Sequence, residues 1–363
     1  MYRRHFLRAA AAAPLAVPLL SLATPGTARA APAMAAAPGQ WRSFELTQNV
    51  EIARARGAVK LWLPLPQTSP YQRLDALNWT GSADLLGVYR DPATGAQAFH
   101  AHWTGDEPRK LNLVMQVSTL DRHTDFGRYR TDRGAPADMA DYLKASAMIR
   151  TDGIVKDTAE KIVKGHNHNL AKARAIYDWI ADNTFRDPKV KGCGIGDIRT
   201  MLSTGNLGGK CADLNALFVG LARATGVPAR GVYGVRAAPS AVSPSIGAKT
   251  ADISRGQHCR AEFWTASLGW VPADAADVRK IVLEDKVALD DPKMAAFRRF
   301  LFGSWEGNWI AYNEHRDVVL PRSDGTAVNF FMYPEAHTAQ APLDGVDPDS
   351  FAYKIATREI KPA

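Results

Sequence analysis

The stretch Gly208-Gly209-Lys210-Cys211-Ala212-Asp213, followed by residues 214–223 and then Thr225-Gly226-Val227-Pro228-Ala229-Arg230, reads as a glycine turn, a helix and a strand. Leu214, Leu217, Phe218 and Leu221 keep the i, i+3, i+4, i+7 spacing that holds one helical face against a core. Gly226 supplies the helix stop. Cys211 therefore falls in the first helical turn, where free backbone N–H groups and the positive end of the helix dipole favour a thiolate over a thiol. This is a position for a nucleophile.

A nucleophilic thiol needs a base, and the base needs a partner that fixes its orientation. His258 opens the segment His258-Cys259-Arg260-Ala261-Glu262-Phe263-Trp264. With period two, Cys259, Ala261 and Phe263 share an apolar face, and His258, Arg260, Glu262 and Trp264 share the other. A turn through Thr265-Ala266-Ser267-Leu268 leads to Gly269-Trp270-Val271-Pro272-Ala273-Asp274. An antiparallel hairpin with a five-residue loop over 264–268 puts Asp274 opposite His258 on one face, whereas a four-residue loop puts Ala275 there. Spacing alone leaves the register open. Asp213 either favours the helix dipole or pairs with Arg230.

The order Cys211, His258, Asp274, with the cysteine at a helix start and the other two on neighbouring strands, resembles the transglutaminase-like superfamily. The block Gly-Gly-Lys-Cys-Ala-Asp, closed by Ala-Thr-Gly-Val-Pro-Ala-Arg at 224–230, is similar to that family's nucleophile motif. His258 with Glu262-Phe263-Trp264, Gly269-Trp270-Val271-Pro272 and Asp274 is similar to its His-to-Asp segment. The likeness covers roughly residues 140–280. It implies a papain-like core and acyl transfer through a thioester, with Cys211 as nucleophile, His258 as proton shuttle and Asp274 as the group that orients the imidazole. Members of the family commonly take a second oxyanion donor, often a Trp, from just before the preceding helix. Here Cys193-Gly194-Ile195-Gly196 occupies that stretch, and the second donor is unassigned.

The surrounding chain divides by texture. Arg3-Arg4-His5-Phe6-Leu7-Arg8, an Ala/Leu/Pro stretch over 9–23 and Ala28-Arg29-Ala30 make residues 1–30 resemble a twin-arginine signal peptide, and residues 31–40 form an Ala/Pro-rich linker. Residues 41–130 alternate in short strands, including 44–47, 59–63 and 111–117, with a hairpin of 85–90 and 97–103 around Asp91-Pro92-Ala93-Thr94-Gly95. They are expected to form an all-β sandwich. Residues 131–340 are expected to hold the catalytic domain. Helices are predicted at 138–148, 158–163, 170–181, 195–202 and 292–302, and strands at 232–235, 258–264 and 269–271. Helices followed by an antiparallel sheet give an α+β fold: a transglutaminase core of helices packed on a sheet, preceded by the sandwich. Trp305, Trp309 and Tyr312 repeat at about one-turn intervals, as packing aromatics do; 328–333 and 351–355 read as late strands, the second within a C-terminal extension over 341–363.

Lys and Arg number 45 against 37 Asp and Glu, and four of the arginines fall in the first thirty residues. The modest excess left is interleaved with acids and gives no case for a nucleic-acid partner. After signal cleavage no stretch is apolar enough for a membrane helix, so the expected product is periplasmic or secreted. Three cysteines leave at least one free thiol; Cys193 and Cys259 either pair with each other or are two small core residues. His166 and His168 flank Asn167 without a further ligand, and neither a metal nor a cofactor is expected. The expectation is a cofactor-independent cysteine enzyme cleaving peptide or amide bonds of a protein or peptide substrate. Glutamine transamidation and a non-catalytic binding module on the same fold are the alternatives.

Overall fold

A computed structural model describes residues 39–53 and 55–361. The proposed signal segment 1–30 and nearly all of the linker 31–40 lie outside the described residues. The alternation read at 111–117 is realised in β6 (Arg109–Thr119): Leu111, Leu113, Met115 and Val117 are buried, and the residues between them face outward. β6 pairs on one side with β1 (Arg42–Ile52) and on the other with β3 (Gln72–Gly81). β2 (Val59–Pro64) pairs with β5 (Gln97–Trp103), which forms the expected hairpin with β4 (Leu85–Arg90). The hairpin turn is closed by Gly95 N–H donating to Asp91 O at 2.7 Å.

Each of these sheets has a fourth strand from the far end of the chain. β17 (Glu335–Thr338) pairs with β2, and β18 (Tyr353–Ile360) runs antiparallel to β1 through eight residue pairs. The strand orders are β18-β1-β6-β3 and β17-β2-β5-β4. The stretch 341–363, expected as an extension, thus supplies an edge strand, with Tyr353 and Ile355 buried and Ile253 N–H donating to Ile355 O at 2.8 Å. A pairing between segments 317 positions apart leaves no local mark on either.

The core sheet has the order β12-β11-β10-β14, all antiparallel, from β10 (Ala229–Arg236), β11 (Gln257–Thr265), β12 (Gly269–Ala273) and β14 (Trp309–Asn313). Around it lie α1 (Ile154–Ile162), α2 (Asn169–Asn183), α3 (Ile198–Thr204), α4 (Cys211–Ala224), α5 (Ala275–Glu284) and α6 (Pro292–Phe300). Short ladders join β7 (Arg122–His123) to β13 (Ser304–Trp305), β8 (Phe185–Arg186) to β9 (Gly208–Gly209), and β15 (Arg316–Val319) to β16 (Ala327–Phe330). A last helical turn, α7 (Pro348–Phe351), leads into β18. The helix predicted at 138–148 is instead a run of 3-10 turns over Ala137–Leu143 with no buried residue. Without an apolar face to pack, its costly helical nucleus gains nothing. The aromatic row at 305–312 is strand, not helix, although Trp305, Trp309 and Tyr312 are buried as packing aromatics should be.

α4 is buried from Cys211 to Ala222 around its whole circumference, more than the single face read from its spacing. It packs against α1, α2, α5, β10 and β11. Its C-terminus is a Schellman turn: Gly226 sits at φ 79°, Gly226 N–H donates to Arg223 O and Val227 N–H to Ala222 O, both at 3.0 Å. Across the sheet, the Glu262 carboxylate is buried between Arg122, which leaves the sandwich, and Arg230 at 2.5 Å. Among the described residues, no helix is long and apolar enough to cross a membrane.

Because Ile355 is almost fully buried in this last strand, Ile355→Ala should cost about 2–5 kcal/mol in a urea unfolding experiment. A loss below about 0.5 kcal/mol, the level of a surface change, would show that β18 is not part of the core.

Candidate active site

The site begins with the loop before α4. The Asp213 carboxylate accepts from Lys210 N–H at 2.9 Å, one half of a capping box, and its other oxygen accepts from Ile195 and Gly196 N–H at 3.0 and 2.8 Å. It thus pins the 194–196 loop, whose Gly194 has φ 87° and would place a Cβ only 1.8 Å from that carboxylate. Arg230 turns instead to Glu262 and Glu314, so Asp213 is a loop clamp rather than its ion-pair partner. The clamp seats Cys193 beside Cys211, with Ala212 N–H donating to Cys193 O at 2.9 Å.

Cys193, Cys211 and Cys259 are all free and buried, and their sulfurs lie within 4.8 Å of one another. No Cys193–Cys259 disulfide is present. Hydrogen bonds from the Cys193 and then the Cys259 thiol, with smaller help from the His258 imidazole, hold the Cys211 thiol well below the usual cysteine range against its burial. The other two are pushed the opposite way, Cys193 chiefly by its hydrogen bond to Cys211 and Cys259 chiefly by burial. Of the three thiols, Cys211 is therefore the one whose ionisation its neighbours favour. As residue N1 of α4, Cys211 has a backbone N–H with no acceptor in its own helix.

His258 and Asp274 meet, at 2.7 Å between Nε2 and Oδ2, though not through the expected register. The hairpin loop spans only 266–268, with Thr265 paired to Gly269 and Ala261 to Ala273. Extending that register sets Asp274 beside Arg260, two residues from His258 and on the same face. β12 ends at Ala273, and Asp274 caps α5 by accepting from Asp277 N–H at 3.1 Å. Its side chain reaches diagonally to the imidazole. Parity survived the shorter loop because two residues were lost.

Several partners were not singled out from the sequence. Asn215, one turn after Cys211, donates to Asp274 Oδ1 at 3.0 Å and to Cys259 O at 2.9 Å. Its place four residues after Cys211, polar within an apolar helix, is the signal that would have found it. Asp277 is a second carboxylate 3.5 Å from His258 Nε2, and it is answered by Arg236 at 2.6 Å. Burial and Arg236 press the His258 pKa down, but Asp277 and Asp274 outweigh them and leave it raised. For Asp277, burial works upward, and Arg236 with His258 brings it down to about 2. The Trp309 indole N–H fixes the His258 backbone at 3.1 Å, and the Arg260 guanidinium lies over the Trp305 and Trp309 rings. Cys211 and His258 line one cavity of about 630 Å³.

Residues 156–275, from α1 to the start of α5, match the family model described as the transglutaminase-like superfamily. An uncharacterised Haemophilus influenzae protein (strain ATCC 51907 / DSM 11121 / KW20 / Rd) is 37% identical over 337 residues, 87% of this chain and 91% of its own. The chain belongs to the transglutaminase-like superfamily. A crystal structure from Cytophaga hutchinsonii, provisionally described as a cysteine protease, covers 88% of this chain and 98% of its own at a TM-score of 0.54 and 15% identity. That likeness is one of fold: both the transglutaminase-like core and the sandwich before it are present here.

The sulfur group makes a direct forecast for this member of the superfamily. The rate of Cys211 alkylation by iodoacetamide, followed by peptide mass mapping, should reach half its plateau well below the pH of about 8.5 typical of free cysteine. Cys193→Ala should move that midpoint upward, since the neighbouring thiol that lowers the Cys211 pKa most is lost. A midpoint near 8.5 in both proteins would contradict the assignment of the charge.

Proposed function

We propose that the chain is an exported cysteine enzyme that cleaves a peptide or amide bond through a Cys211 thioester. The observation that carries the reading is the 2.7 Å bond from His258 to Asp274, made within the cavity that Cys211 opens into. Asp274 accepts from His258 Nε2, which leaves Nδ1 as the nitrogen for proton exchange with the substrate. The Cys211 thiolate attacks the carbonyl carbon, and the oxygen that becomes negative is received by the Cys211 backbone N–H. His258 protonates the departing nitrogen, ammonia or an amine leaves, and the acyl group remains on sulfur. His258 then takes a proton from water, hydroxide adds to the thioester carbonyl, and collapse returns the thiolate and a carboxylic acid. Export rests on the paired arginines and small-residue site of residues 1–30. Hydrolysis is favoured over transamidation because seven cations and two carboxylates in the cavity lining hold water near the thioester, whereas transfer to an amine requires its exclusion.

Activity should then follow a bell, with its acid limb set by the depressed Cys211 and its alkaline limb by the raised His258. Below the first the thiolate is protonated; above the second the imidazolium has no proton for the leaving nitrogen. The test follows peptide cleavage, ammonia release and amine incorporation in parallel on peptide and glutamine-rich protein substrates. Cys211→Ala should abolish turnover, and Asp274→Asn should lower kcat by about a hundredfold or more. Amine incorporation outpacing cleavage would turn the assignment to transamidation. Wild type and Cys211→Ala alike in all three assays would favour a binding module.

A further inference from the structure

Seven side chains lining the Cys211 cavity are lysine or arginine, against two aspartates. The chain as a whole has no such imbalance, with 45 basic and 37 acidic residues. Part of the cavity's charge is answered one to one: Arg236 belongs to Asp277, Lys191 to Asp344 and Arg255 to Asp347. Three other cations share one carboxylate. Arg186, Lys249 and Lys280 converge on the single carboxylate of Glu284, at 3.4, 3.5 and 3.5 Å. One anion among three cations leaves two positive charges uncompensated at one wall. Lys210, the residue before Cys211, adds another and also lines the cavity.

We infer that this cleft selects an anionic acyl donor: a peptide or amide carrying carboxylate groups beside the bond that Cys211 attacks. Solvated surface lysines alone would be an ordinary finding, but these sit in a concavity of about 630 Å³, a size that encloses a ligand. Protein walls of low dielectric focus the field of the charges that line them, raising the local concentration of anions and the rate at which they arrive. Arg186 and Lys280 are mostly buried, at 16% and 13% exposure, so their charges are less screened by salt than those of free surface lysines. A carboxylate entering here completes the partial neutralisation that Glu284 begins. A cationic peptide would instead meet like charge and be rejected, which gives selectivity by repulsion as well as attraction.

The inference rests on the acyl-transfer reading only in naming the anion as an acyl donor, and it can be tested without turnover. Iodoacetate and iodoacetamide form the same S–C bond with loss of iodide, one as an anion and the other neutral. Their rates at Cys211 are measured on the full chain by peptide mapping, and the ratio is compared with that for N-acetylcysteine. Since both reagents consume the same thiolate, the ratio does not depend on how much thiolate there is. At low ionic strength the Cys211 ratio should exceed the reference by about tenfold or more, and it should fall as salt is added. Lys249→Gln and Lys210→Gln should each reduce it by about two- to fivefold. A ratio equal to or below the reference, or one indifferent to salt, overturns the inference. Slow alkylation by both reagents with a high ratio would count against an activated nucleophile and still support an anion-selective cleft.

Discussion

One side-chain amide joins the three segments that make the site. Asn215 stands on the same buried helix as Cys211 and donates to Asp274 and to the Cys259 carbonyl, so its two N–H groups reach the start of α5 and strand β11 at once. A buried amide left unbonded would cost about 1–3 kcal/mol, so the helix, the strand and the following helix are held to one relative placement. The distance between sulfur and imidazole is thereby set by the packing of α4, not by the flexibility of a loop. Asp213, at the other end of the first turn, does the same for the 194–196 loop. Both polar anchors are part of the helix that carries Cys211.

Buried charge is balanced around that frame with little to spare. Asp277 takes Arg236, which leaves Asp274 to the imidazole, and Glu262 is shared between Arg122 and Arg230. Removing one partner of such a set strands the other in a poorly solvated site, at a cost of about 3–5 kcal/mol. The Arg260 guanidinium is pushed down to about 10 by burial; it lies over two indole rings, with the Asp274 carboxylate 3.8 Å away. The same residues that shape the chemistry therefore also restrict what the core tolerates.

Much of this was readable beforehand, for identifiable reasons. The helix start at Cys211, its end at Gly226 and the alternation of β6 are local patterns, imposed by 3.6- and two-residue periods. The side of the hairpin on which Asp274 falls was also legible, because parity depends only on an even shift. Its register was not, since loops of three and five residues are both compatible with Thr265-Ala266-Ser267-Leu268. Cys193 could be read as a core residue or a disulfide partner; its place within 4.8 Å of the Cys211 sulfur depends on a loop fixed by Asp213 across 18 positions. The β18–β1 pairing, with no local period of its own beyond that of any strand, is the most distant of these contacts and the least legible.

That pairing bears on how the molecule is made. β1 is complete early in synthesis, but its partner β18 emerges more than three hundred residues later. At roughly 5–20 residues per second, β1 waits on the order of fifteen seconds to a minute for the strand that covers its edge. Through that interval β1 presents an unpaired edge of backbone donors and acceptors, a template for the wrong strand. The sandwich is thus the last part of the protein to close, although its first strand lies at the beginning of the described chain. Its closure depends on whatever shields β1 until β18 has been made.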